Sequence, residues 1–289
     1  MSYLLTGEVV GISKIATGTP AALCASGNGT FTIDPNTTDF DGIGGQAHAR
    51  GGSLGIMIDL ECVGLAKADQ DLWWPATKCV QVAAFPDILA VLDDGTSGAQ
   101  YVLSGGQPRG FKASMANELN AEVRYSIGMS FALATPAAAA VDEPVYNALL
   151  GHTRGGTVVG LPGDEGALSW ELEAAMELEY HDPLNARGAA AKRFPEGLFI
   201  KSYRPSLSVE TSQQFTIAEL LADVYTPATL SIAMTNGTAA ENITYTITPA
   251  VPTDPLAMGL QEGSAVPFNQ KWIPSSGSRY GWCVLTAPA

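Results

Sequence analysis

Positive charge is scarce in this chain. Fifteen Lys and Arg stand against 29 Asp and Glu, for a formal net charge of −14. No basic run occurs, so tight nucleic-acid binding, which needs clustered cations to neutralise phosphates, is disfavoured. Charge of either sign is thin: 15% of residues are charged, against the usual quarter. The four cysteines, Cys24, Cys62, Cys79 and Cys283, are widely spaced with no CxxC, which argues against a zinc module or a disulfide scaffold. They read as reduced small hydrophobes made in a cytoplasm. The opening MSYLLTGEVVG lacks the basic and long apolar regions of a secretory signal. The uncharged stretch from Ser126 to Val141 is too short and too rich in Ala, Ser and Pro to span a membrane. No P-loop, GxGxxG, zinc-finger spacing or kinase signature is present, and no cofactor is implied.

What the chain has is length, grease and turn residues. Its 289 residues are 46% hydrophobic, with 31 Gly and 18 Pro. That is enough for one large or two ordinary domains. Low charge with abundant Gly, Ala, Thr and Ser suits many short strands and large interfaces.

The most informative stretch is Leu168 to Tyr180, LSWELEAAMELEY. Leu168, Trp170, Leu172, Ala174, Met176, Leu178 and Tyr180 alternate with small or acidic residues. Period-two alternation predicts a strand with one buried and one wet face. Leu, Ala, Met and Glu favour a helix, but a helix would scatter these apolar residues around its whole surface. The wet face then carries Glu171, Glu173, Glu177 and Glu179, with about 6.6–7 Å for each two-residue step. Such a ladder is a solvated sheet face, a set of partners for cations of a neighbouring subunit, or the lining of an acidic surface or channel.

The rest reads as a succession of strands. Leu5–Ile15, Ala21–Cys24 and Thr30–Ile33 form a meander around a turn at Ser26–Gly29. Residues 34–52 read as a long loop. Strands follow at Leu54–Val63, Cys79–Ala84, Ile88–Leu92, from Tyr101, and across Phe111–Leu133. Leu198–Tyr203 and Leu207–Val209 are two more. Thr229–Met234 and Ile243–Thr248 flank a hairpin turn, and Trp282–Leu285 closes the chain. Short helices are expected at Asp69–Ala76, Asp142–Leu150 and Phe215–Val224. The Pro/Ala segment 135–140 is the best boundary between two domains, 1–140 and 141–289. A strand leads into a helical segment in both halves, a weak echo that leaves duplication open.

Candidate chemistry is thin. Gly51–Gly55 matches GxSxG, but a nucleophile elbow needs a strand before the serine and a helix after it. Here a Gly-rich loop precedes and a strand follows. Glu179, His181 and Asp182 lack a convergent further ligand for a metal. His48 and His152 read as loop residues. Trp73, Trp74, Trp272, Tyr280 and Trp282 offer stacking surfaces, though core or interface packing is the commoner fate of such residues. No catalytic constellation emerges, and the chain reads as a non-enzyme.

Three segments together carry a family resemblance. The opening YLLTGEVVGISKIATGTPAALCASGNGTFTI (residues 3–33), the segment DEPVYNALLGHT (142–153) and the late QEGSAVPFNQKW (261–272) resemble the tail tube proteins of long-tailed bacteriophages. The resemblance implies a mainly β fold, with β-sandwich or barrel-like tube domains and short flanking helices. It implies self-assembly into stacked rings, hexameric or, with two fused domains, trimeric, through which DNA passes at ejection. Glu171, Glu173, Glu177 and Glu179 would line the lumen. Other tail proteins, such as tape measure and terminator, would be partners. The place would be the virion tail, after synthesis in a bacterial cytoplasm. Rival expectations are another virion structural protein, such as a terminator or decoration protein, and a carbohydrate-binding or glycoside-hydrolysing β-sandwich. For the last, adjacent same-face glutamates have a compatible spacing.

Overall fold

A computed structural model describes residues 8–15, 21–23, 26–34, 38–41, 47–50, 55–70, 73, 85–93, 98–116, 121–136, 151, 153–154, 158–161, 167–181, 197–211, 228–253, 268–274 and 283–286. The fold is mainly β, in antiparallel sheets, as expected.

One sheet of five strands has the order β11-β8-β7-β1-β2. Its members are β1 (Glu8–Ile15), β2 (Ala21–Ala22), β7 (Asp87–Asp93), β8 (Gly98–Ser104) and β11 (Leu133–Pro136). The large sheet follows the path β12-β15-β16-β17-β14-β13-β9-β10-β6-β3, with β18 added on β16. Its first members are β3 (Ser26–Asp34), β6 (Gly55–Val63), β9 (Gln107–Met115), β10 (Arg124–Phe131) and β12 (Thr153–Arg154). The others are β13 (Ala167–His181), β14 (Gly197–Thr211), β15 (Ala228–Thr235), β16 (Ile243–Pro252), β17 (Phe268–Pro274) and β18 (Cys283–Thr286). A separate ribbon pairs β4 (Thr38–Asp41) with β5 (Ala47–Arg50).

The two larger sheets are joined by one bent double strand. β8 pairs with β11 at Ser104↔Leu133, and β9 pairs with β10 at Gln107↔Ser130. Between them both chains cross from one sheet to the other. Gly105, at φ +66°, and Gly106 make one crossing. A Cβ on Gly106 would lie 2.5 Å from the Phe85 ring and 2.7 Å from that of Phe131. Only a bare backbone passes this corner.

The large sheet also folds over on itself. Phe111 on β9 and Tyr245 on β16 have ring centroids 6.1 Å apart. In a flat sheet the four strand steps between them would span about 19 Å. The inner faces of the two ends therefore meet, as in a sandwich, and enclose one core that includes Phe111, Tyr125, Ile127, Trp170, Leu172, Tyr245 and Trp272. β12 and β3 are the ends of the path, so among the described strands it does not close into a barrel.

Helix α1 (Lys67–Gln70) locks the overlap. The Gln70 side chain is fully buried. Its Nε2 donates to the Tyr125 hydroxyl at 3.1 Å and to the Leu65 carbonyl at 3.0 Å. The Tyr245 hydroxyl donates to its Oε1. The Lys67 amide donates to Glu241 Oε2 at 2.9 Å, so the β15–β16 turn caps the start of α1. Trp73, also fully buried, donates its indole N–H to the Gly128 carbonyl at 3.1 Å. Burial pushes the Tyr125 phenol well above its ordinary pKa, and the Gln70 hydrogen bond only partly opposes this.

Several local expectations needed correction. Ser26–Gly29 is part of β3 rather than a turn. The 34–52 loop holds the β4–β5 ribbon. β14 runs unbroken through Pro205, where two strands were expected. There Pro205 lies opposite Ala174 of β13, and β17 pairs with β14 only from Leu207 onward. β17 overlaps the end of the QEGSAVPFNQKW segment, for which no strand bounds were expected. The helix expected at Asp69–Ala76 begins earlier, at Lys67. The 135–140 segment begins as the end of β11. The helices expected at Asp142–Leu150 and Phe215–Val224, and the strand at Cys79–Ala84, fall outside the described residues.

The Gln70 contacts predict the behaviour of Tyr245→Phe. It leaves a buried carbonyl oxygen without its donor, at a cost of about 1–3 kcal/mol. Denaturant unfolding should show that loss, and wild-type stability would contradict the lock.

Candidate functional site: the charged face of the long hairpin

The segment around Glu171–Glu179 is extended. β13 pairs with β14 from Ala167↔Thr211 to His181↔Gly197. Trp170, Leu172, Ala174 and Met176 are buried, while Glu177 and Glu179 are exposed and Glu171 and Glu173 half-buried. Magnitudes explain why the period prevails. Helix propensity is worth a few tenths of a kcal/mol per residue. Burying each large apolar side chain contributes about 1.5–3 kcal/mol. Leu168 departs from the alternation: a register shift between Ala167 and Ser169 leaves it half-buried and buries Ala167.

The four glutamates share the outer face with cations of the same chain. The register sets Glu61, Ser126, Lys112, Glu173 and Ser206 in one row across β6, β10, β9, β13 and β14. Lys112 Nζ lies 2.7 Å from Glu171 Oε2. Lys201 Nζ donates to Glu177 Oε1 at 3.0 Å, and Ser202 Oγ to Glu177 Oε2 at 3.3 Å. Lys201 sits at a register shift between Glu177 and Leu178, which turns it outward beside the carboxylate. Its hydrogen bond and charge hold the Glu177 carboxyl below the usual glutamate range. The same contact raises the Lys201 amine, with Glu179 adding to it. Exposed pairs of this kind contribute little to stability. Their effect is to tie down cations.

Arg109 is tied in the same way. A register shift between Gly128 and Met129 makes a bulge on β9, and Arg109 pairs with Asp59 of β6. It lies over Gly128, where a Cβ would be 3.1 Å from Asp59 Oδ1 and 3.4 Å from Arg109 Cβ. Beside it a trough of about 370 Å³ runs over Gly110 and Ala175, walled by Lys112 and Glu173.

The other candidate residues fare variously. Trp73, Trp170 and Trp272 are core residues and offer no stacking surface. Trp74, Tyr280, Trp282, Asp182, Ser53 and His152 lie outside the described residues, as do the side chains of His48 and His181. The GxSxG segment lies between strand β5 and strand β6, with no helix following it. The loop expected before it ends in β5. Among the described residues no three His, Cys, Asp or Glu side chains converge for a metal. Cys62 is buried in the core. No described helix is long and apolar enough to cross a membrane.

Comparison with protein families gives no match, and comparison with curated proteins gives none. Among solved structures, the chain resembles one from the tail of an empty GTA particle with C6 symmetry. The TM-score is 0.30 at 15% identity, over 44% of this chain and 95% of that one. A likeness this shallow carries no weight for fold or role.

The ion pairs predict a titration. A depressed folded pKa means the Glu177–Lys201 contact is present above the unfolded glutamate value and is lost as pH falls through the folded one. Carboxyl chemical shifts should show Glu177 titrating low, and Lys201→Met should raise it. An unmoved titration in that variant would contradict the pairing.

Proposed function

We propose that this chain is a structural rather than a catalytic protein. In this reading it is a subunit that polymerises into stacked rings forming the tube of a phage tail. The observation that carries the reading is where the exposed grease sits. Among the described residues the exposed large apolar side chains are Ile33, Leu133, Val159 and Phe199. Ile33 is on β3, an end strand of the large sheet, and Leu133 is on β11, an end strand of the small one. Val159 bridges Ser231 beside β15, and Phe199 lies on β14 where no described strand but β13 pairs with it. Apolar sheet edges are templates for another chain, and a lifelong monomer blunts them with charge. A polymer covers them. The opening segment's resemblance to tube proteins points the same way.

The outer face suits a conduit wall. The pairing of Lys112, Lys201 and Arg109 with carboxylates of this chain leaves these cations poor partners for passing phosphates. Glu171, Glu173, Glu177 and Glu179 are the lumen-facing residues in this reading, in the virion tail.

Purified protein should assemble into hollow tubes in negative-stain electron microscopy. A persistent monomer over a wide range of salt and concentration would sink the reading. Changing all four glutamates to Gln should leave tubes intact. It should also release Lys112 and Lys201, so that DNA is retained in a salt-sensitive way. Tubes of that variant that hold DNA no better than wild type would remove the glutamates from the lumen.

A further inference from the structure

The chain holds two Asn–Gly pairs, Asn28–Gly29 and Asn236–Gly237. An asparagine before a glycine can cyclise. The glycine amide nitrogen attacks the side-chain carbonyl carbon, and a residue without a Cβ leaves that approach open. The two pairs sit in opposite surroundings. Asn28 is exposed, but β3 holds it extended opposite Glu61, with Gly29 opposite Leu60. Asn236 is only 7% exposed and lies in the turn between β15 and β16. Exposure singles out Asn28, whereas geometry singles out Asn236.

The turn arranges the groups that cyclisation needs. The Gly237 N–H donates to Thr235 Oγ1 at 3.2 Å, so the proton of the nucleophile already faces an acceptor. The Thr238 N–H donates to Asn236 Oδ1 at 3.0 Å. That oxygen gathers negative charge as its carbon is attacked, and a donor already aimed at it stabilises the charge. Thr235 is itself fixed, because Thr153 Oγ1 donates to its carbonyl at 3.1 Å. Gly237 is exposed at φ +84°, and a Cβ there would meet no described atom within 4 Å. Ring closure has room, and water reaches the ring to reopen it. Holding the reacting pair, an acceptor and a donor on one short turn gives the proximity that speeds intramolecular reactions.

We propose that Asn236 is a self-modification site, which converts to a mixture of aspartate and isoaspartate while Asn28 persists. A bond forms between Gly237 N and Asn236 Cγ. The Cγ–Nδ2 bond breaks, and ammonia leaves with the proton given up by Gly237 N. Water then opens the succinimide ring at either carbonyl, which yields one carboxylate and one restored amide link. The step consumes water alone and involves no oxidant, cofactor or second protein. The isoaspartate product lengthens the backbone of the turn by a methylene. Glu241, at the end of the 3-10 helix that follows, caps α1 through the Lys67 amide. Conversion is therefore a one-way loosening of the Gln70 lock, and it does not depend on the tube reading.

The test incubates folded wild-type protein in heavy-oxygen water at neutral and mildly alkaline pH. Peptide mass spectrometry with electron-transfer fragmentation reads both sites. The Asn236 peptide should take up heavy oxygen severalfold faster than the Asn28 peptide, should give both isomers, and should react faster at alkaline pH. Thr235→Val should slow it severalfold and Thr235→Ser should not, with circular dichroism confirming that both variants fold. Aged wild type should unfold at lower denaturant in proportion to the fraction converted. An Asn236 that converts no faster than Asn28 overturns the proposal, and this comparison needs no variant. A folded Thr235→Val that converts at the wild-type rate overturns it as well.

Discussion

The Gln70 carboxamide is the constraint on which the fold depends. It is buried, and it bridges two tyrosine hydroxyls on strands that are far apart along the sheet. A sheet that bends back to meet its own inner face brings polar groups into the core. Each must find a partner or cost about 1–3 kcal/mol. Gln70 supplies a donor to Tyr125 and an acceptor to Tyr245. Glu241 caps the same short helix from the returning hairpin. α1 is too short to be stable by itself. It exists because both halves of the sheet hold it.

That closure fixes what remains outside. With the inner faces packed on each other, the hairpin turns its polar face outward. The polar face is a lattice of carboxylates and cations rather than an unbroken acidic wall. Lys112 falls between two glutamates because β9 lies beside β13, and Lys201 reaches Glu177 because a register shift turns it outward. The net charge of −14 says nothing of this local balance. The cations on this face that Glu171, Glu177 and Asp59 hold are already paired within the chain.

The strand character of β13 was legible because seven alternating apolar residues leave little choice. So were β6 and the β15–β16 hairpin, as period-two runs, and β7, as a short continuous apolar run, each bounded by turn residues. Other features misled. Leu198–Tyr203 and Leu207–Val209 read as two strands, yet β14 runs through Pro205 opposite Ala174 as one. Ser26–Gly29 read as a turn from composition, although pairing with β6 holds it extended. The role of Gln70 left no sequence signal. A lone glutamine before two tryptophans says nothing of hydroxyls 55 and 175 residues away.

The sequence by itself determined the class of the fold and the two-faced nature of its central strand, since both follow from spacing along one chain. It also determined the sign of the overall charge. The tertiary structure alone decided which strands lie side by side, and so which cation meets which glutamate. It alone decided where the sheet bends and which strands stand at the ends of the described sheets. Those depend on contacts between residues distant in the chain, and neither periodicity nor composition carries that information.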